Sequence, residues 1–209
     1  MSLSVPRRAL LATPLVLFSR PVPASTLDRP PLRFRVLRGG SQIGTHRVSF
    51  ATPGSGQFTA LTEVDIAVRL AGITVFRFTH RFEEVWDGLR LRAVTSRQDR
   101  NGTVTEMQAR AEGDALVVRG PDGTSRLPAQ AAPLTWWDVE RIEARLPLFD
   151  NAHGKPLRLA WTRTPLEGGG RRWACTGDRE SAGEWSGNGT WTGWATKGDD
   201  GSTVTYERA

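Results

Sequence analysis

The side chains able to hold a metal, move a proton or attack a carbonyl are few and scattered in this 209-residue chain. It has three histidines, His46, His80 and His153, and one cysteine, Cys175. No two histidines stand at i, i+2 or i, i+4, so metal-ligand spacing is absent. His46 and His80 fall on the apolar face of alternating segments with one strand between them. Two inter-strand spacings put them about 10 Å apart, too far to share one zinc ion. Two readings remain for them. They are hydrogen-bonded residues of an interior, or His46, Thr62, His80 and Glu84 supply polar contacts in a pocket lined by Phe76, Phe78, Phe82 and Trp86. Acid–base work by Glu84 and a histidine has no third group to orient it.

The remaining reactive types favour plain packing. Cys175 shares a strand face with Trp173 and reads as an inert buried thiol, with no histidine nearby in sequence to activate it. Ser41, Ser55 and Ser186 lie near glycines, yet none completes a Gly-x-Ser-x-Gly elbow. Gly39-Gly40 and Gly168-Gly169-Gly170 follow strands without opening a helix, so no phosphate cradle and no cofactor motif is expected. Trp185, Trp191 and Trp194 could form an aromatic platform for sugars. Strict alternation, however, puts Trp191 and Trp194 on opposite faces, which favours core or rim packing.

These residues sit on a repeated local pattern. From Leu32 to Gly120, apolar and polar residues alternate until a glycine-bearing turn reverses the chain, as in a β-meander. Phe58, Ala60, Thr62, Val64, Ile66, Val68 and Leu70 share one face of one strand. Phe76, Phe78, Phe82 and Trp86 share one face of the next, with Arg77 and Arg81 opposite. Even positions must pair with even ones, so an odd connection, Ala71-Gly72-Ile73, is expected, with Glu63 facing Arg81. Turns at Asp87-Gly88, Asn101-Gly102, Gly113-Asp114 and Asp122-Gly123 predict strands near 89–98, 103–111, 115–119 and 124–127.

The period then changes. Thr135-Trp136-Trp137-Asp138 resembles a capping box, with Thr135 as N-cap, and predicts one short helix over 136–146. Strands are expected again at 156–163, 171–176, 182–186, 190–196 and 202–208. The fold class is therefore mainly all-β: an antiparallel meander forming a strongly curved sheet or partly closed barrel, with the helix plugging or flanking it.

Residues 1–24 read as a signal peptide, with Arg7 and Arg8 before a ten-residue apolar stretch and Val22-Pro23-Ala24 as a cleavage site. A buried amphipathic N-terminal helix is the alternative. The stretch is too short for a stable membrane span, and twin-arginine and general secretory export both fit. Residues 25–209 then form a single domain, periplasmic or secreted. Of the formal charge of +6, Arg7, Arg8 and Arg20 supply three, leaving +3. With arginines scattered and only Lys155 and Lys197 as lysines, that charge argues against nucleic acid as a partner.

Several segments together resemble a family of uncharacterised exported bacterial proteins, defined as a domain of unknown function. They are residues 39–46 (Gly-Gly-Ser-Gln-Ile-Gly-Thr-His), 71–76, 84–89, 134–138 and the closing 200–206. The resemblance covers nearly the whole chain after the leader. It implies an antiparallel β-fold outside the cytoplasm, loosely similar to periplasmic lipoprotein-carrier half-barrels. This chain departs from the family at Trp136-Trp137-Asp138 and at Glu184-Trp185-Ser186, and no catalytic residues come with the resemblance.

The expectation is a non-catalytic protein that holds an apolar or amphipathic ligand such as a lipid on the concave face of its sheet. A cell-envelope interaction module with a solid core is the first alternative, and an enzyme of unknown type the second.

Overall fold

A computed structural model describes residues 29–52 and 56–209. The signal peptide expected over residues 1–24 lies outside the described residues. The first eight strands are β1 (Leu32–Arg38), β2 (Ser41–Ala51), β3 (Gln57–Leu70), β4 (Ile73–Asp87), β5 (Arg90–Arg100), β6 (Thr103–Glu112), β7 (Ala115–Gly120) and β8 (Gly123–Pro128). A crossing segment, residues 129–157, carries two short strands, β9 (Ala132–Pro133) and β10 (Leu148–Phe149), which pair in parallel around the helix α1 (Val139–Glu143). Five strands complete the chain: β11 (Leu159–Pro165), β12 (Arg171–Gly177), β13 (Ser181–Trp185), β14 (Trp191–Lys197) and β15 (Thr203–Arg208).

Thirteen of these strands form one antiparallel sheet, ordered β11-β12-β13-β14-β15-β1-β2-β3-β4-β5-β6-β7-β8. The closing strand β15 pairs with β1, which joins the two meanders into one surface. β11 and β8 end the sheet without pairing to each other, so it remains open. Among the described residues no helix is long and apolar enough to cross a membrane.

The curl of the sheet follows from two neighbouring side chains. Trp136 packs on Trp161 of β11, Trp185 of β13 and Trp194 of β14, with ring centroids 5.8, 5.8 and 6.2 Å away. Trp137 packs on Phe50 of β2, Phe58 of β3 and Trp86 of β4, at 5.5, 5.5 and 6.5 Å. β11 is first and β4 ninth in the sheet, so a flat sheet would separate them by about 38 Å at ~4.8 Å per spacing. Adjacent Cα atoms are only about 3.8 Å apart. The sheet therefore wraps around the crossing segment, with Phe34, Val36, Val48, Trp86, Val94, Met107, Leu116 and Trp185 buried on its inner side.

The alternation expected from sequence holds on β3 and β4. Thr62, His80, Phe82, Glu84 and Trp86 are buried, while Arg77 and Arg81 are exposed, and Glu63 forms an ion pair with Arg81. The β3–β4 turn differs in detail. Leu70 pairs with Ile73 across a two-residue turn, Ala71-Gly72, in which both residues have positive φ. A bulge at Val75 absorbs the residue that the parity argument assigned to the loop, and Val68 opposes Phe76 as that argument requires.

Two further expectations are corrected. The helix covers Val139–Glu143, and its N-cap is Asp138, whose Oδ1 accepts from the Glu140 N–H at 3.0 Å. Thr135 is not the cap because Trp136 and Trp137 must point to opposite flanks of the molecule. The chain bends at both residues instead of entering the helix there, whereas helical backbone would place them on adjoining parts of one face. The second correction concerns Trp191 and Trp194. Glu184 opposes Gly193 but Trp185 opposes Trp191, so Thr192 is a bulged residue. The bulge cancels one alternation and turns both indoles inward.

Gly183 makes room for this arrangement. A Cβ there would lie 2.4 Å from Cε3 of Trp136 and 2.6 Å from Cη2 of Trp185. Gly183→Ala should therefore cost about 1–3 kcal/mol by overpacking two rings that cannot retreat. Gly193→Ala, whose Cβ would find nothing closer than 3.6 Å, should cost much less. Thermal unfolding of both variants checks this, and equal losses would remove Gly183 from the account.

Candidate functional site

A cavity of about 200 Å3 lies between the inner face of the sheet and the crossing segment. The register places its polar core. His46 on β2 opposes Val64 on β3, which opposes His80 on β4, so the histidines sit two strands apart as expected, with Thr62 one step along. His46, Thr62, Phe78, His80 and Phe82 line the cavity together. Three other residues expected at the site do not. Phe76 is half-buried nearer the hairpin end, beneath the Arg100 guanidinium at 5.2 Å. Glu84 and Trp86 continue the same strand face but are sealed beneath Trp137 and α1.

Sequence reasoning missed the opposite wall. Trp136, Trp137 and Asp150 come from the crossing segment, Trp191 and Trp194 from β14, and Tyr206 from β15. Tyr206 was legible, since it follows Val204 at strand spacing. The others depend on a bulge and on a segment with no period. The lining residues Gln98 and Thr196 are half-buried and Arg179 is exposed, so the cavity opens to solvent on that side.

The histidines are neutral. Burial, helped by the neighbouring His80, pulls His46 down to about 3. Its ring is enclosed by Phe34, Trp191 and Tyr206, with centroids at 5.8, 5.3 and 5.5 Å. Burial also pulls His80 down to about 4, against the opposing charge of Asp150 and a backbone contact to Asn151. His80 Nε2 lies 2.9 Å from Ser96 Oγ. Both ring nitrogens of His46 and Oγ1 of Thr62 are buried without a protein partner among the described residues. At the rim, burial works to raise the Asp150 carboxyl. The Arg179 ion pair and the N–H groups of Ala152 and His153 outweigh that effect and hold it below its ordinary range.

Glu84 belongs to a separate buried cluster. Its Oε2 accepts from Trp137 Nε1–H at 2.6 Å, and Oε1 has no protein partner. Burial pushes this carboxyl up to about 8, although the Trp137 hydrogen bond and Arg141 pull the other way. The Arg141 guanidinium lies 3.4 Å from the Trp86 ring centroid, and its Nε lies 3.1 Å from Asp138 Oδ2. This cluster fastens α1 to β4 and shares Trp137 with the cavity wall.

Elsewhere, Cys175 is buried with Sγ 3.3 Å from Ser181 Oγ, and burial raises its pKa, which keeps the thiol protonated. His153 Nδ1 lies 3.2 Å from Asp150 Oδ1. Among the described residues no three of His, Cys, Asp and Glu gather in a group that could hold a metal ion.

An open antiparallel sheet curled around its own crossing segment, with a small chamber of neutral polar groups and aromatic rings, defines a β-protein with an internal cavity. A family model described as a domain of unknown function, DUF6134, matches residues 34–209, and the chain belongs to that family. No curated protein and no solved structure matches it.

The buried titrating groups predict a stability profile with two limbs. Glu84 is protonated in the folded state up to about pH 8 and ionised in the unfolded chain above its ordinary value of 4.5. Its contribution is full below about pH 4.5 and gone above about 8. His46 and His80 act in the opposite sense, contributing fully above 6.5 and losing that contribution as pH falls toward 4 and 3. Between pH 6.5 and 8 only Glu84 is changing, and stability should fall with rising pH by up to about 1.4 kcal/mol per unit. Glu84→Gln should flatten that limb in denaturant titrations while leaving the acid limb in place. An unchanged alkaline decline would show that Glu84 is not its source.

Proposed function

We propose that this protein binds an uncharged amphipathic molecule in the cavity between β2, β3, β4, β14 and the crossing segment, without catalysing a reaction. The observation that carries this reading is the unpartnered polar set, His46 Nδ1 and Nε2 with Thr62 Oγ1, buried beside the cavity among aromatic rings. Leaving such groups unmade costs about 1–3 kcal/mol each, so a solid interior would favour apolar residues of the same shape. A neutral imidazole offers one donor and one acceptor, and a hydroxyl offers both. Together they suit a hydroxyl, ester or amide head group, with Phe78, Phe82, Trp191 and Trp194 receiving an apolar portion. A charged head group would meet two histidines that are already neutral and would lose its hydration without a counter-charge.

The volume bounds the ligand. About 200 Å3 lies below the ~300–1,000 Å3 of sites that enclose a drug-sized molecule. One short chain or one segment of a longer lipid would fit, with the remainder outside. Export to the periplasm or cell exterior, from the leader-like residues 1–24, would place the protein where lipids and their fragments are encountered. A second reading, an envelope interaction module, is favoured by how much of the concavity the crossing segment already fills.

Native mass spectrometry of protein purified without detergent, together with tryptophan-fluorescence titration by 1-alkanols of increasing length, separates these readings. The expected result is saturable binding, tighter for alkanols than for the matching carboxylates at neutral pH. Thr62→Val should leave stability unchanged or raise it by up to about 1 kcal/mol, because it removes an unpaired hydroxyl, yet weaken alkanol binding at least about fivefold. Absence of both a co-purifying ligand and a saturable response would favour the interaction module.

A further inference from the structure

Beyond the cavity, the tip of the β3–β4 hairpin has properties that neither the fold nor the chamber requires. β2 pairs with β3 only as far as Gly44 and Ile66, and β5 pairs with β4 only as far as Arg100 and Phe78. Residues 67–77 therefore continue as a two-stranded ribbon, whose lower part packs on the core through Val68 and Phe76 and whose tip, residues 69–75, projects. Its base is held by Asn101, whose Oδ1 accepts from the Arg77 N–H at 2.7 Å and whose N–H donates to the Arg77 carbonyl at 2.9 Å. The ribbon ends in a tight Ala71-Gly72 turn and presents Leu70, Ile73 and Val75, which are 70%, 69% and 55% exposed. These are three of the largest apolar exposures on the described surface, and they fall within six residues of one another.

The ribbon itself carries charge of one sign, with the nearest acids, Asp65 and Asp199, at its base. Between Asp65 and Glu83 the sequence contains no acid, while Arg69 and Arg77 lie on the ribbon. Both arginines are exposed, and neither forms an ion pair among the described residues. The arginines nearer the sheet are paired, Arg81 with Glu63 and Arg100 with Asp199.

We infer that this hairpin tip docks on an anionic lipid surface, with Leu70, Ile73 and Val75 entering the head-group boundary and Arg69 and Arg77 meeting lipid phosphates. Apolar residues at a protruding turn, flanked by unpaired cations, match the two terms of interfacial binding: buried apolar area and attraction to anionic lipid. A second copy of the chain fits less well. Two such tips would bring four arginines together, and three side chains cannot supply the ~800 Å2 per partner of a stable dimer interface. The inference does not depend on the cavity holding a ligand. If both are correct, the inner side of the hairpin, Ile66, Val68, Phe76 and Phe78, provides an apolar path from the docked tip toward the chamber.

The test uses the full chain carrying Ile73→Cys labelled with a nitrobenzoxadiazole dye. Cys175 is 1% exposed, so labelling is confined to the tip. The probe surfaces are vesicles of phosphatidylcholine alone and of phosphatidylcholine with about 30 mol% phosphatidylglycerol. The dye emission should shift to the blue and brighten on the anionic vesicles, and salt at about 0.5 M should reverse part of the change. In co-sedimentation, Leu70→Asp with Ile73→Asp should reduce partitioning at least about tenfold. Arg69→Ala and Arg77→Ala should each cost about fivefold on anionic vesicles and little on neutral ones. All four side chains are exposed, so melting temperatures should match the wild type. A dye that stays in a watery environment on both vesicles overturns the inference, as does an aspartate variant that partitions like the wild type. A dimer in sedimentation equilibrium that the aspartates dissolve would assign the tip to a second copy instead. Alkanol titration of the aspartate variant keeps the two proposals apart, since it should bind as the wild type does whether or not docking fails.

Discussion

The shape of the molecule depends on Trp136 and Trp137, neighbours at a bend just ahead of α1. One indole reaches the flank β11–β14 while the other reaches β2–β4. Aromatic pairs of this kind add about 0.5–1.5 kcal/mol each beyond the area they bury. Because the two sets of contacts pull on distant parts of one continuous sheet, they stabilise the curled form over a flat one. Either set alone would be satisfied without curvature. Gly183 permits the closest approach, and Asp138 opens α1 only after both indoles have been placed.

The same dipeptide determines where charge can exist inside. Trp137 covers Glu84 so completely that the carboxyl is neutral at ordinary pH, and its indole N–H gives the buried oxygen its one clear partner. Arg141 remains close by because its guanidinium lies on the Trp86 face and meets Asp138, so its charge is compensated on the helix side. Neutral histidines occupy the cavity, and ionised pairs such as Arg179–Asp150 are confined to its rim. This separation leaves the chamber polar but uncharged, with a titratable carboxyl buried in the neighbouring cluster.

Much of the architecture was legible because strand alternation and turn residues are local signals. The meander, the two-strand separation of His46 from His80 and the Glu63–Arg81 pair all follow from counting in twos across glycine-bearing turns. Bulges defeat such counting, since one extra residue inverts every later position. Thr192 turned Trp191 inward, and Val75 moved the expected loop residue into β4. The site was half legible for a related reason. One wall is a strand face, visible as His46, Thr62, Phe78, His80 and Phe82. The other is brought in by the crossing segment, whose Trp137 reaches Glu84 from 53 residues away. The sequence around Thr135 carries a helix-start signal that burial of two indoles overrides, because the packing of two large rings outweighs a cap worth about 1 kcal/mol.

The cavity and the filled interior are compatible once the crossing segment is viewed as a wall. A segment that merely plugged the concavity would be expected to meet apolar residues throughout, as it does where Phe149, Val139 and Ile142 join the core. Around the chamber the sheet instead presents Thr62 where valine has the same shape, and His46 where phenylalanine would stack equally well between Phe34, Trp191 and Tyr206. Each choice leaves polar atoms without a protein partner and lowers the stability of the ligand-free fold. Unpartnered polar atoms also occur away from the chamber, at Thr52, Glu84, Trp86 and Trp185, but the aromatic contacts that curl the sheet are complete without Thr62 and His46. The proposed ligand would supply partners for these atoms, which packing within the chain does not.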